Sequence, residues 1–162
     1  MNRHTHVTGL LGVALVATIV LAVPVKAHHS FAMYDMGATR VFTGVVDRVD
    51  PAVNHLGIFF AVMNEARDGV LRNEKGEPVI WTVEMGGSAQ MARQGVSVNT
   101  FPRGTVFSVA LHPLRNGEPA GSREGPMFKC PDRNSRPALG KHCDSVEGHV
   151  AIGSGTLPTP TK

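Results

Sequence analysis

The sequence predicts an all-β fold with one short helix. The expected architecture is a small OB-like five-stranded barrel that follows an N-terminal signal helix in the sequence. Three observations predict it: short segments of alternating polarity, one short helical segment after the third of them, and an apolar N-terminus. The order of three strands, a helix and two strands is that of an OB-fold. A β-sandwich is the alternative architecture, because it is built from strands of the same length.

The five predicted strands are recognised by alternation and by their β-branched and aromatic residues. They cover residues 40–50, 56–63, 79–85, 105–112 and 126–130. A helix is predicted over residues 89–94, with Ser88 as its N-cap and Gly95 as its stop, and Asn116-Gly117 predicts a hairpin turn. The residues predicted to be largely buried in one core are Val45, Phe59, Trp81, Val83, Val106 and Val109. For Trp81, a platform on which a ligand stacks is the alternative to a core position.

The N-terminus has the composition of an export signal. Residues 1–9 hold one arginine and no acid, residues 10–25 are apolar with few exceptions, and Val25-Lys26-Ala27 offers the small-x-small pattern of a cleavage site. We therefore expect a mature chain that begins at His28 and is periplasmic or secreted. An uncleaved membrane anchor is the alternative, but the apolar run is shorter than the roughly 20 residues that a spanning helix needs.

These signals divide the chain into four predicted segments: a signal peptide over 1–27, an extended leader over 28–39, the barrel domain over 40–130, and a disulfide-stapled C-terminal loop with a flexible tail over 131–162. The net charge of the whole chain is +3. Two of its cations lie in the signal, so the mature chain is nearly neutral, and we expect neither a nucleic-acid partner nor a membrane span after cleavage.

The chain has two cysteines, Cys130 and Cys143. An even cysteine count in an exported chain predicts one disulfide. The alternative is a structural zinc site that adds His142 and His149, although their spacing does not match that of closely paired zinc ligands.

Six short motifs follow one another along the chain. They are Ala27-His28-His29-Ser30-Phe31, Thr43-Gly44-Val45-Val46, Trp81-Thr82-Val83-Glu84, Gly86-Gly87-Ser88, Phe101-Pro102-Arg103-Gly104 and Pro113-Leu114-Arg115-Asn116-Gly117. In these motifs the chain resembles a family of small exported bacterial proteins of unknown function whose mature chains begin His-His-Ser-Phe. The resemblance covers about residues 27 to 120. Asn54-His55-Leu56-Gly57 departs from the Asn-Pro-His pattern common in that family. The resemblance implies export and one compact β domain, and it implies no activity.

The most specific chemical hypothesis concerns metal binding at the mature N-terminus. The free amine and the imidazole of His28 can form one chelate ring, and a further imidazole from His29, His55 or His112 would complete a nitrogen set that suits Cu(II). Met33 and Met36 follow closely and offer soft ligands for Cu(I). The alternatives are a polar leader with no function and a histidine pair that contacts a partner.

Gly86, Gly87 and Ser88 at the predicted helix start form a weak candidate for an anion site, because free amides point outward there. Catalytic residues are not predicted, since neither paired carboxylates nor a Ser/His/Asp set occurs at a diagnostic spacing. The sequence therefore favours a non-enzymatic binding or accessory module for an unknown protein or small molecule. Copper is the one cofactor hypothesis, and a copper-binding protein is the alternative function.

Overall fold

The structure, a computed structural model, describes residues 31–52 and 54–161. The predicted signal peptide, His28 and His29 lie outside the described residues. A 3-10 helix over Phe31–Met33 precedes the first strand, and a second lies at Cys143–Ser145. The strands and the α-helix are β1 (Arg40–Pro51), β2 (Leu56–Val62), β3 (Ile80–Met85), α1 (Ser88–Arg93), β4 (Val106–Pro113), β5 (Ala120–Lys129) and β6 (Val150–Ile152).

Five strands close into a barrel, as the sequence predicts. The sheet runs in the order β3-β2-β1-β4-β5-β6, and β3 also pairs with β5. Neighbouring strands are antiparallel except at this closure, where Thr82–Glu84 lie parallel to Ala120–Ser122. The closure removes the free edges that β3 and β5 would have in an open sheet or sandwich. With one short helix between β3 and β4, the all-β barrel is confirmed.

The barrel interior is filled by alternate residues of every strand. On β1 the inward residues include Phe42 and Val46, whereas Val45 packs against a second apolar cluster outside the barrel. The buried interior residues are Val46, Leu56, Ile58, Phe60, Val62, Val83, Met85, Met91, Val96, Phe101, Phe107, Val109, Leu111, Met127 and Ile152.

Three of the six predicted core residues are only partly buried, so the prediction is wrong for Val45, Phe59 and Trp81. Val45 lies on the outer face of β1. Phe59 also points outward, where the Arg48 guanidinium lies 3.5 Å from its ring centroid. Trp81 contacts the core but lies at the beginning of β3, at one end of the barrel.

Two strands differ from their predicted extent. β5 begins at Ala120, well before the predicted start at Pro126, and its first half contains glycines and polar residues that are unfavourable for strands. Gly125, with φ 65°, adjoins a register shift in the β4–β5 pairing. β6 was not predicted; it is only three residues long and pairs with the end of β5.

Helix α1 begins at Ser88, and its N-cap is Gly87, with no hydrogen bond from a capping side chain. The prediction of Ser88 as N-cap is therefore wrong; its Oγ donates instead to the Ala52 carbonyl at 2.7 Å. The predicted stop is confirmed. Gly95, with φ 83°, donates to Ala92, and Val96 donates to Met91, which together form a Schellman motif. Among the described helices, none is long and apolar enough to cross a membrane.

The C-terminal segment, residues 131–161, attaches to the outside of the barrel. Cys143 is bonded to Cys130, the residue that follows β5, with the two Cα atoms 5.0 Å apart. The second apolar cluster lies around this disulfide and contains Met63, Val106, Phe128, Cys130 and Cys143. Near the chain end, the Thr39 N–H donates to Thr161 Oγ1 at 2.7 Å.

Candidate functional site

The segment that precedes the barrel, residues 31–39 (the N-terminal segment), is attached to the end of β4 by its backbone. Tyr34 forms an antiparallel bridge with Leu114. The Asp35 N–H donates to the Pro113 carbonyl at 2.8 Å, and the Arg115 N–H donates to the Met33 carbonyl at 2.9 Å. The segment therefore has a defined place on the barrel, where the sequence predicted only an extended leader.

The Tyr34 side chain adds a hydrogen bond across the outer face of the barrel. Its phenol donates to Glu84 Oε2 on β3 at 2.6 Å. Burial, together with the hydrogen bond to the Glu84 carboxylate and its negative charge, raises the pKa of the Tyr34 phenol above its usual value. Tyr34 therefore stays protonated and tethers the N-terminal segment to a second strand. Periodicity does not reveal this contact, because the two residues are far apart in the sequence.

Three large apolar side chains of the same segment point into solvent. Phe31 is 65% exposed, Met33 is 51% exposed and Met36 is 47% exposed. Exposed apolar residues that are scattered singly are common on protein surfaces, whereas these three lie within six positions of one anchored segment. Hydrophobic side chains held at fixed positions in water can bind an apolar partner at little cost in backbone ordering.

One of the predicted copper ligands, His112, contacts the N-terminal segment. Its Nδ1 lies 3.0 Å from the Ala38 carbonyl oxygen. Because a carbonyl only accepts hydrogen bonds, Nδ1 carries the proton, and in the neutral ring the lone pair is on Nε2. Glu124 Oε2 lies 3.6 Å from the same Nδ1 and has no hydrogen-bond partner within the described residues. A backbone carbonyl that accepts from Nδ1 is a typical second partner of a metal-binding imidazole.

His55 lies just before β2 and is partly buried. The described part of the chain contains no group of three or more histidine, cysteine, aspartate and glutamate side chains able to hold a metal ion. His55 and His112 are therefore not members of one such group there. His28 and His29, the other predicted ligands, belong to the undescribed N-terminus, and the copper hypothesis stays a prediction.

His142 takes part in a polar network that was not predicted. Its Nδ1 lies 2.8 Å from Thr43 Oγ1, which lies 2.7 Å from Ser108 Oγ, and Ser108 Oγ accepts the Cys143 N–H. Burial, followed by the positive charge of Arg67, lowers the pKa of His142; Asp144 opposes this effect. Through these side-chain hydrogen bonds the network joins the C-terminal segment to β1 and β4.

This network does not have the properties of a catalytic site. Thr43 is 1% exposed and Ser108 is 0% exposed. A hydroxyl nucleophile must reach a substrate, and neither of these hydroxyl groups is open to solvent. The role that the geometry supports is structural, because each group has a hydrogen-bonding partner inside the protein.

The disulfide between Cys130 and Cys143 is confirmed. Both sulfur atoms are used in that bond, so no thiolate remains for the alternative zinc site. Of the two histidines of that alternative, His142 contacts Thr43, and His149 Nδ1 lies 2.9 Å from the Val146 carbonyl oxygen.

Two of the three residues of the predicted anion site, Gly86, Gly87 and Ser88, have contacts that attach α1 to the barrel. The Gly86 carbonyl accepts from Leu56 at the beginning of β2, and Ser88 Oγ donates to the carbonyl of Ala52, which follows β1. A Cβ on Gly86 would lie 2.6 Å from Oε1 of Gln90, so the glutamine side chain lies close to this position. The anion site stays a prediction.

Comparison with known proteins places the chain in a family but assigns it no activity. No curated protein and no solved structure matches the chain. A family model described as a family of unknown function, DUF6152, matches residues 16–123, which span most of the barrel and the N-terminal segment. The chain belongs to this family of unknown function, DUF6152.

Proposed function

We propose that this chain is an exported, non-enzymatic binding or accessory module whose binding element is the N-terminal segment. The observation that carries the proposal is the exposure of Phe31, Met33 and Met36 on a segment whose backbone is bonded to β4. The apolar N-terminus of the sequence supports export, and a disulfide in a small domain is compatible with it. The partner would present an apolar surface, because thioether and phenyl groups contribute contact area and no charge.

Site-specific photocrosslinking in the periplasm tests this proposal. A photoreactive amino acid replaces Met33, and in a matched control it replaces Leu139, which is 67% exposed on the C-terminal segment. We expect one discrete crosslinked species from position 33 and none of that mass from position 139. The same crosslinked species from both positions, or no species from position 33, would contradict a binding role for the N-terminal segment.

A copper-binding protein is the second candidate function, and two observations favour it. The exposed thioethers of Met33 and Met36 lie close in sequence to His28. The proton on Nδ1 of His112, held by the Ala38 carbonyl of the same segment, leaves Nε2 as the metal-binding nitrogen. An amine, the His28 imidazole and the His112 imidazole would supply three nitrogen ligands for Cu(II).

Copper titration of the chain that begins at His28 and of three matched variants tests this candidate. We expect Cu(II) to bind the chain that begins at His28 and to bind more weakly when one residue precedes it, because the amine becomes an amide. His112→Asn should also weaken binding. His149→Asn should leave it unchanged, although His149 Nδ1 has a similar carbonyl contact. Equal affinity for the native and the extended chain would end the copper hypothesis.

A further inference from the structure

Five aromatic rings form a continuous column inside the barrel. Neighbouring ring centroids are 4.7 to 5.9 Å apart from Trp81 through Phe42 and Phe60. The column continues from Phe60 to Phe107 at 5.3 Å and from there to Phe101 at 5.6 Å. These spacings are those of favourable aromatic pairs. The column therefore connects the two ends of the barrel through ring contacts.

The two ends of the column differ in how they are covered. At one end, Phe101 is buried in the same cluster as Met91 of α1 and Val96, which follows the helix. Helix α1 follows the last residues of β3, whereas Trp81 is near the first residue of that strand. Trp81 and Phe42 are only partly buried. The end away from the helix thus carries two partly exposed aromatic rings, which lie against each other.

A cation lies over each end of the column, and among the described residues only Lys129 also forms a hydrogen bond. Lys129 Nζ, 5.8 Å from the Phe101 ring centroid, donates to the Thr100 carbonyl at 3.2 Å. Arg40 Cζ lies 5.3 Å from the Trp81 ring centroid. Within the described residues, Arg40 forms neither an ion pair nor a side-chain hydrogen bond. Its exposed guanidinium retains its donors for another group.

We infer that this end of the barrel (the Trp81 mouth) is a binding site for a small organic anion with a flat apolar body. The apolar part would contact the partly exposed faces of Trp81 and Phe42, and a carboxylate would accept paired hydrogen bonds from Arg40. Barrel mouths with an apolar lining and few polar groups are frequent ligand sites. The residues of this site lie on β1 and β3, and the inference does not depend on the proposed partner of the N-terminal segment.

Trp81 is the sole tryptophan of the chain, so its fluorescence reports directly on this mouth. Benzoate serves as the probe, benzyl alcohol as its uncharged counterpart and acetate as the anion without an apolar body. We expect a saturable change in Trp81 emission with benzoate, and binding at least tenfold weaker for both controls, because each lacks one half of the interaction.

Two arginine variants distinguish the site from general charge effects. Arg40→Gln should weaken benzoate binding about tenfold or more, and Arg40→Lys should weaken it less, because an ammonium keeps the charge but loses the paired geometry. Arg48→Gln is the matched control, since Arg48 also lies over an aromatic ring, that of Phe59. It should bind benzoate as the native chain does. A titration without saturation, or equal weakening by Arg40→Gln and Arg48→Gln, would overturn the inference. Neither result would affect the crosslinking test at Met33.

Discussion

Gly44 on β1 faces the inside of the barrel, and we predict that even a methyl group there is destabilising. A Cβ at this position would overlap the Phe60 ring and lie 3.0 Å from the Ala61 carbonyl oxygen. Phe60 is fully buried, and its ring contacts Phe42 and Phe107. Since Phe60 has little room to move, Gly44→Ala should incur an overpacking cost of roughly 2–3 kcal/mol.

Part of that cost is offset, because alanine loses less backbone entropy than glycine on folding, by about 0.5–1 kcal/mol. We therefore expect Gly44→Ala to lower the free energy of unfolding by about 1–2.5 kcal/mol, measured by urea denaturation with the disulfide intact. The matched control is Gly57→Ala on β2, where a Cβ would meet its nearest atoms at an ordinary 3.6 Å. That variant should be neutral or slightly stabilising.

Phe60→Leu tests the cause of the effect. In that background Gly44→Ala should be less destabilising, with a coupling energy of about 0.5 kcal/mol or more between the two positions. A native-like free energy of unfolding for Gly44→Ala, or strictly additive effects of the two substitutions, would show that the Phe60 ring does not pack against Gly44.

Three further predictions concern the contacts outside the barrel. Replacing Cys130 and Cys143 together by alanine should lower the free energy of unfolding by about 2–4 kcal/mol; an unchanged urea midpoint would contradict this. The pKa of His142 is lowered in the fold. The contribution of this residue to the free energy of unfolding is therefore fully present above the unfolded pKa of about 6.5, and it is lost as the pH falls through the folded pKa. His142→Asn should flatten this part of the stability–pH profile, and an unaltered profile would refute the assignment. Tyr34 is the sole tyrosine, so ultraviolet absorbance should show no tyrosinate near the ordinary phenol pKa of about 10 until the protein unfolds; normal titration in the folded state would contradict its bond to Glu84.

The strands that alternate strongly could be predicted from the sequence, and those that depend on tertiary pairing could not. Residues 40–50 and 105–112 were placed to within one residue of β1 and β4. The first half of β5 was missed because its glycines and polar residues form a strand only by pairing with both β3 and β4. The inward face of β1 was also misjudged: Val45 is as apolar as Val46, and only the packing shows which of them points inward.

The candidate site was predictable as a list of residue types but not as an arrangement. The sequence indicated His112 and the apolar neighbours Met33 and Met36. It carried no signal that Ala38 would accept from His112 or that Tyr34 would reach Glu84, because those contacts join segments distant in the chain. The same limit explains why the partly buried position of Trp81 was missed. Burial at the end of a barrel depends on where the strand begins and on which end the helix covers.

One mass measurement decides whether this disulfide-bonded barrel is exported with His28 as its first residue. The full gene product is expressed with its own N-terminus, and the intact protein is weighed from the periplasmic fraction without reducing agent. We expect the mass of the chain from His28 to Lys162 less two hydrogens, since Cys130 and Cys143 are joined. A chain that still carries residues 10–25, or one found only in the cytoplasm with two free thiols, would contradict it.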